Sequence, residues 1–247
     1  MIKCLFSICI VMLFSFPGTG LTTEQILVGD FSRQGQNTLF PLHWEPLVFD
    51  NINKHTIYTR VLSKGTWVIQ AKSKESSSSL IRKITIAPDI YSIISFRWKI
   101  QDIIESADLS DKNGNDAPAR VFITFTFDPA QVGWLERMKF EACKLFYGEY
   151  PPIATLIYVW ASHLEKGTII DSPYTNRAKI IVLESGADKK GKWLNEKRNV
   201  YADFRRAFAS ENVPMISGVA IMTDTDNTNE QVVSWYGDIV FSAFCSK

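Results

Sequence analysis

Apolar and polar residues alternate with a period of two through most of the chain. Between Ile94 and Ile100, the residues Ile94, Phe96, Trp98 and Ile100 fall on one side and Ser95, Arg97 and Lys99 on the other. Further on, Val121, Ile123, Phe125 and Phe127 oppose Arg120, Thr124 and Thr126. Successive side chains of an extended strand point to opposite faces, so each stretch predicts a strand with one dry side. The same alternation predicts strands at 56–62, 66–72, 80–86, 154–161, 178–185, 217–222 and 233–244. Ile180 to Leu183 is apolar on both sides, which predicts a strand covered on both faces.

Two stretches change period. Over 129–147, Trp134, Met138, Ala142 and Leu145 recur at three- and four-residue spacing, which predicts a helix. Over 196–209, Val200, Phe204 and Phe208 recur every four residues, with Asn195 as the expected N-cap. Ser76 to Ser79 reads as a polar loop between strands. Many strands, few helices and no regular strand–helix alternation predict an all-β fold of two packed antiparallel sheets with one or two short helices.

The N-terminus reads as a targeting segment. Lys3 gives a positive start, Cys4 to Phe16 an apolar run, and Pro17 to Gly20 a small-residue break. An uncleaved anchor would need about 20 apolar residues, so the sequence predicts a signal peptide over 1–20, no stable transmembrane anchor after cleavage, and a periplasmic or secreted product. Without linker or repeat, 21–247 is expected to form a single β-sandwich domain. In an oxidising compartment Cys143 and Cys245 could bridge, closing a loop of about a hundred residues for on the order of 4 kcal/mol; two unpaired small hydrophobes are the alternative. The three histidines, His43, His55 and His163, are too scattered for a zinc or copper cluster.

Lys and Arg total 27 against 26 Asp and Glu, a formal charge of +1. That balance offers no bulk attraction to nucleic acid or an anionic membrane, and no basic cluster stands out along the chain, so no nucleic-acid partner is expected.

Three features carry candidate chemistry. Asp111, Asn113 and Asn115 alternate before Asp116, a spacing that can wrap a hard cation such as calcium, or simply make a turn through bonds to backbone. Its glycine and glutamate positions do not match an EF-hand. Asp224, Asp226 and Asn227 crowd where a strand runs out into a loop and call for a cation, an arginine or a hydroxyl-rich ligand. Asp238, in an otherwise apolar last strand, needs a partner such as Arg120 or Arg177. Aromatic side chains offer flat platforms for sugar rings, with Trp160 and Trp193 the expected stackers and Arg120 and Arg177 the donors. No nucleophile elbow, zinc-protease helix or Walker loop is present. Asp116 with Asp224 or Asp226 could form a carboxylate pair for glycoside hydrolysis if the fold brought them together.

The segments Arg198-Asn199-Val200 with Asp203, Met222 to Thr228, Tyr236-Gly237-Asp238-Ile239 and Tyr158-Val159-Trp160 resemble those of a bacterial family of exported proteins, domain of unknown function 3047. The resemblance runs roughly from Phe31 to Phe241 and implies a β-rich domain with no established activity. Asn115 stands where that family more often carries a second aspartate. More loosely, Gly29-Asp30-Phe31, Trp44 and the closing Tyr236-Gly237-Asp238 strand are similar to jelly-roll, galactose-binding-like carbohydrate-binding modules, which bind glycans and often hold a structural calcium. Together these expectations make the chain a non-catalytic module for a saccharide or other polyhydroxyl ligand. An enzyme acting on polysaccharide through cleft carboxylates, and a structural or partner-binding envelope protein, are the alternatives.

Overall fold

A computed structural model describes residues 24–33, 41–147 and 150–244. The expected signal peptide and Cys245, and with it the Cys143 pairing, lie outside the described residues. Among them are thirteen strands, two α-helices and a short 3-10 turn.

One sheet contains β1 (Gln25–Gly29), β3 (Ile57–Ser63), β4 (Thr66–Lys74), β6 (Ile93–Ile100), β11 (Leu194–Asn199) and β13 (Gln231–Ser242), in the order β11-β6-β13-β4-β3 with β1 also on β13. The other contains β2 (Glu45–Leu47), β5 (Ser79–Ile86), β7 (Ala117–Phe125), β8 (Ala154–Ala161), β9 (Ile169–Ser172), β10 (Thr175–Ser185) and β12 (Ile216–Asp224), in the order β2-β5-β12-β7-β8-β10-β9. The chain crosses between sheets from β4 to β5, to β6, to β7; β12 then inserts between β5 and β7, and β13 between β4 and β6. That is jelly-roll wiring, as the all-β reading expected. One departure from antiparallel pairing is β8 with β10, whose parallel register needs the crossover through β9.

The predicted dry faces meet between the sheets. Ile94, Phe96, Trp98 and Ile100 from β6 pack against Val121, Ile123 and Phe125 from β7 and Tyr158 and Trp160 from β8. β10 is covered twice: Ile181 and Leu183 join this core, while Ile180 and Val182 lie in a second cluster with Leu109, Ile157 and Val159. The double coverage explains its continuous apolar run.

Both helices depart in detail from the sequence reading. α2 (Val200–Phe208) starts later than predicted, capped by Asn199, whose side chain accepts from the Ala202 N–H; Asn195 instead pairs with Arg97 in the sheet. β11 was hidden because Leu194 is the one apolar residue in its six, so no alternation marks it. On α1 (Trp134–Tyr147) the predicted stripe of Trp134, Met138, Ala142 and Leu145 faces solvent. Phe140 is the residue that buries, stacking on Phe127 at 3.8 Å between ring centroids. No helix among the described residues is long and apolar enough to cross a membrane.

β13 shows what the Tyr-Gly-Asp-Ile segment does. Its first half pairs with β4 and its second half with β1, with an irregularity between Tyr236 and Ile239. Gly237 lies there because a Cβ would stand 2.4 Å from the Arg97 side chain. Asp238 accepts from the Ser32 N–H at 2.8 Å and the Ser32 hydroxyl at 2.5 Å, tying the start of the chain to its end. Its nearby cation is Arg60, not Arg120 or Arg177 as expected.

Candidate functional site

The outer face of the seven-stranded sheet carries the site. Arg120, Phe122 and Thr124 alternate outward from β7, and Ala220, Met222 and Asp224 from β12 beside them. The register places Met222 opposite Arg120 and then shifts before Asp224 meets Ala117. Asp224 thus lies diagonally across the two strands from Arg120, on the same outer face.

Arg120 and Asp224, both almost fully buried, form a two-pronged pair, Nε to Oδ1 at 2.9 Å and Nη2 to Oδ2 at 3.0 Å. A third bond runs from Arg120 Nη2 to the Asn115 carbonyl at 2.7 Å, and the Ala117 N–H donates to Asp224. Asp116 is satisfied from the other side: Asn227 donates through its side chain at 3.1 Å, and Thr228 through its N–H and hydroxyl, each at 2.7 Å. Asp226 is held by its own backbone and the Ser77 hydroxyl.

Beneath this layer the alternate residues point inward into a chain of hydroxyls. Thr223 donates to the Pro118 carbonyl at 2.9 Å and meets the Tyr236 hydroxyl at 2.8 Å; Thr225 meets Ser73 at 2.7 Å. Tyr236 donates to the Met222 carbonyl. Ser76 to Ser78 form the loop expected of them while Ser79 already opens β5 and pairs with Met222, and all four are buried. A serine run reads as solvated in sequence; here its polar atoms are consumed inside the fold.

Asp116, Asp224 and Asp226 each place a carboxylate oxygen within 4.8 Å of the others. Burial pushes Asp224 up to about 7, assisted by Asp116 and Asp226 and opposed by Arg120. Asp226 is raised as well, through burial and then the Asp116 charge. A raised carboxylate keeps its proton in the fold after the unfolded chain has lost it, so its stabilising effect is complete below its ordinary value and lost as pH rises through the folded value. For Asp224 that window runs from 3.8 to about 7. Asp102, held by Lys190, and Asp108, held by Ser110, are lowered and act in the opposite sense only at more acid pH. Stability should therefore fall by about 1 kcal/mol per pH unit between about pH 5 and pH 7. Thermal melts across that range, with Asp224→Asn flattening the trend, check it; a Tm that rises with pH would refute the assignment.

A cleft of about 670 Å³ opens over this face. Its floor is Phe122, Ile157, Ala220 and Met222; its edges bring Asn113, Asn115, Asp226 and Asn227 together with Phe49 and Tyr174. The Tyr174 hydroxyl donates to the Lys112 carbonyl at 3.1 Å, the Lys112 ammonium lies 5.9 Å from its ring centre, and the residue is 56% exposed.

The fold thus brings Asp116, Arg120, Asp224, Asp226 and Asn227 into one place, and it sends the other candidates elsewhere. Trp160, expected to stack on a ligand, is fully buried, with its Nε1–H on the Gly186 carbonyl. Trp193 lies against Arg97 and Lys99, whose strand belongs to the opposite sheet. Arg177 pairs with Glu136 at 2.7 Å and covers Phe140, anchoring α1. The cation loop resolves as a turn: the Asn113 N–H donates to Asp111, and the Asn115 amide donates to the Leu109 carbonyl at 2.7 Å. Gly114 suits the close approach there, since a Cβ would stand 3.0 Å from the Asp108 backbone nitrogen. Within the aspartate cluster, protein donors already offset much of the crowded charge. Arg120 occupies both oxygens of Asp224, and N–H and O–H donors occupy both oxygens of Asp116. Tyr174, one of the aromatic side chains that could serve as a platform, does line the cleft, whereas Phe49 and Ser77 were missed as site residues because they lie in loops without periodicity and reach the site only through the fold.

No curated protein matches this sequence. Among solved structures, the K3 cleaved adhesin domain of Lys-gingipain from Porphyromonas gingivalis is similar at 11% identity and a TM-score of 0.39, over 89% of this chain and 100% of that one. A loop-swap mutant of Xyn11A from Necallimastix patriciarum is similar at 9% identity and a TM-score of 0.30, over 90% and 97%. Neither likeness is close enough to bear on function. The model of one family, described as protein of unknown function (DUF3047), matches residues 42–240, from just before β2 nearly to the end of β13. It takes in the arginine–aspartate pair, the aspartate loop and the Tyr-Gly-Asp-Ile strand, and the chain belongs to that family.

Proposed function

We propose that this is an exported, non-catalytic protein that binds a saccharide or similar polyhydroxyl ligand in the cleft over the seven-stranded sheet. The carrying observation is the cleft itself: about 670 Å³, with an apolar floor, the exposed Tyr174 ring and the half-buried Asp226 and Asn227. Sugars offer CH faces to aromatic rings and hydroxyls to carboxylates and amides, which is the mixture present. Residues 1–20 carry the pattern of an export signal, and the proposed location is the periplasm or the exterior.

Binding is favoured over turnover because Asp224 and Asp116 already have their oxygens engaged, leaving Asp226 without a free carboxylate partner. A polysaccharide-active enzyme is the second reading, supported by the raised Asp226 in the cleft. An array of neutral and acidic oligosaccharides, followed by calorimetry on any hit, tests the proposal. Tyr174→Ala and Asp226→Asn should each weaken a true ligand by about tenfold or more while leaving Tm nearly unchanged. An array without hits sinks the reading, and product release lost in Asp226→Asn would favour the enzyme.

A further inference from the structure

On the opposite side of the sandwich, the six-stranded sheet gathers cations that lie far apart in sequence. Lys72 and Lys74 share the solvent face of β4, and with Lys54 they line a cavity of about 760 Å³ whose wall also includes Gln101 and Gln231. The acidic groups here are already engaged: Asp102 is held by Lys190 at 2.9 Å, and Glu75 by Lys54. Lys72 and Lys74 are exposed and form no ion pair among the described residues. Across the same face Lys99 lies 3.8 Å over Trp235, and Arg97 lies 4.7 Å over Trp193. Burial and the neighbouring Lys64 hold Lys99 below its ordinary range, consistent with positive charge crowded on one surface.

We propose that this face binds a polyanionic sugar chain, whose sulfate or carboxylate groups seat against Lys72 and Lys74 in the cavity. The charge is complementary, and the amides of Gln101 and Gln231 supply partners for hydroxyls. Nucleic acid fits less well. Bases are captured by stacking on aromatic rings, whereas Trp193 and Trp235 here are engaged by Arg97 and Lys99. Lysine ammonium groups act as flexible point charges, which can follow anions spaced along a chain. The site is separate from the cleft and stands without it.

The test titrates the purified chain with dextran sulfate, polygalacturonate, neutral dextran and poly-dT, read by tryptophan fluorescence. Dextran sulfate or polygalacturonate should bind, with the tighter of the two showing whether sulfate or carboxylate is preferred, and added salt should weaken the complex. Lys72→Gln/Lys74→Gln should lower that affinity by about tenfold with an unchanged circular dichroism spectrum. Equal binding by the double variant, equal binding of neutral dextran, or tighter binding of poly-dT would each overturn the proposal.

Discussion

Arg120→Met is expected to destabilise the protein by about 3–5 kcal/mol near pH 8, because it leaves the buried Asp224 charge without its partner. Two bonds to Asp224 and one to the Asn115 carbonyl disappear together, so the join between the aspartate loop and β12 loosens. The loss should shrink at about pH 5, where the isolated carboxyl takes a proton and no longer buries a charge. Asp224→Asn should cost a similar amount for the converse reason, an unpaired guanidinium. Arg120→Met/Asp224→Leu should recover a good part of either loss, since apolar side chains of similar volume can replace a buried pair. Urea unfolding of the three variants at both pH values gives the result. A loss for Arg120→Met below about 1 kcal/mol at pH 8 would mean that the pair is not what fixes this corner.

Trp160→Ala should be as damaging, at about 3–5 kcal/mol, but for packing rather than charge. The ring is fully buried 6.1 Å from Trp98, and its Nε1–H bonds the Gly186 carbonyl at 3.0 Å. Truncation opens a cavity between the sheets and strands that carbonyl. A ligand of the cleft should still bind the folded fraction with its original affinity, because Trp160 points away from it. Chemical denaturation with calorimetry on the folded variant separates the two effects. Normal stability with lost binding would return Trp160 to the role first expected of it.

The strands that frame the core were legible in sequence because their environment repeats with the pleat. β6, β7, β8 and β10 alternate, or run continuously apolar, according to whether one face or both are covered. Edge strands β1, β2, β9 and β11 were not legible. They are short or carry polar residues, and their pairing is decided by neighbours distant in sequence. α1 illustrates the converse failure: its apolar spacing predicted the helix correctly but not its buried face, which depended on where Phe127 offered a surface for Phe140.

The site divides the same way. Crowded acids at a strand end announced that something must satisfy them, and Asp116, Arg120, Asp224, Asp226 and Asn227 could be named from charge and placement. What satisfies them could not. Arg120 and Asp224 are 104 residues apart, as are no pairs that local pattern can relate, and only the adjacency of β7 and β12 joins them. Aromatic residues were harder still, since a tryptophan in an alternating strand reads alike whether it is sealed, as Trp160 is, or lies under a cation, as Trp235 is.

By itself the sequence determined the strands that frame the core, their dry faces and the need of its buried acids for partners, because these follow from local geometry and the cost of desolvating charge. Tertiary structure decided which distant residues meet those needs, which aromatics remain exposed, and that evenly mixed charges sort into a basic face on one sheet. Those outcomes depend on strand order, which brings together positions that no local period links.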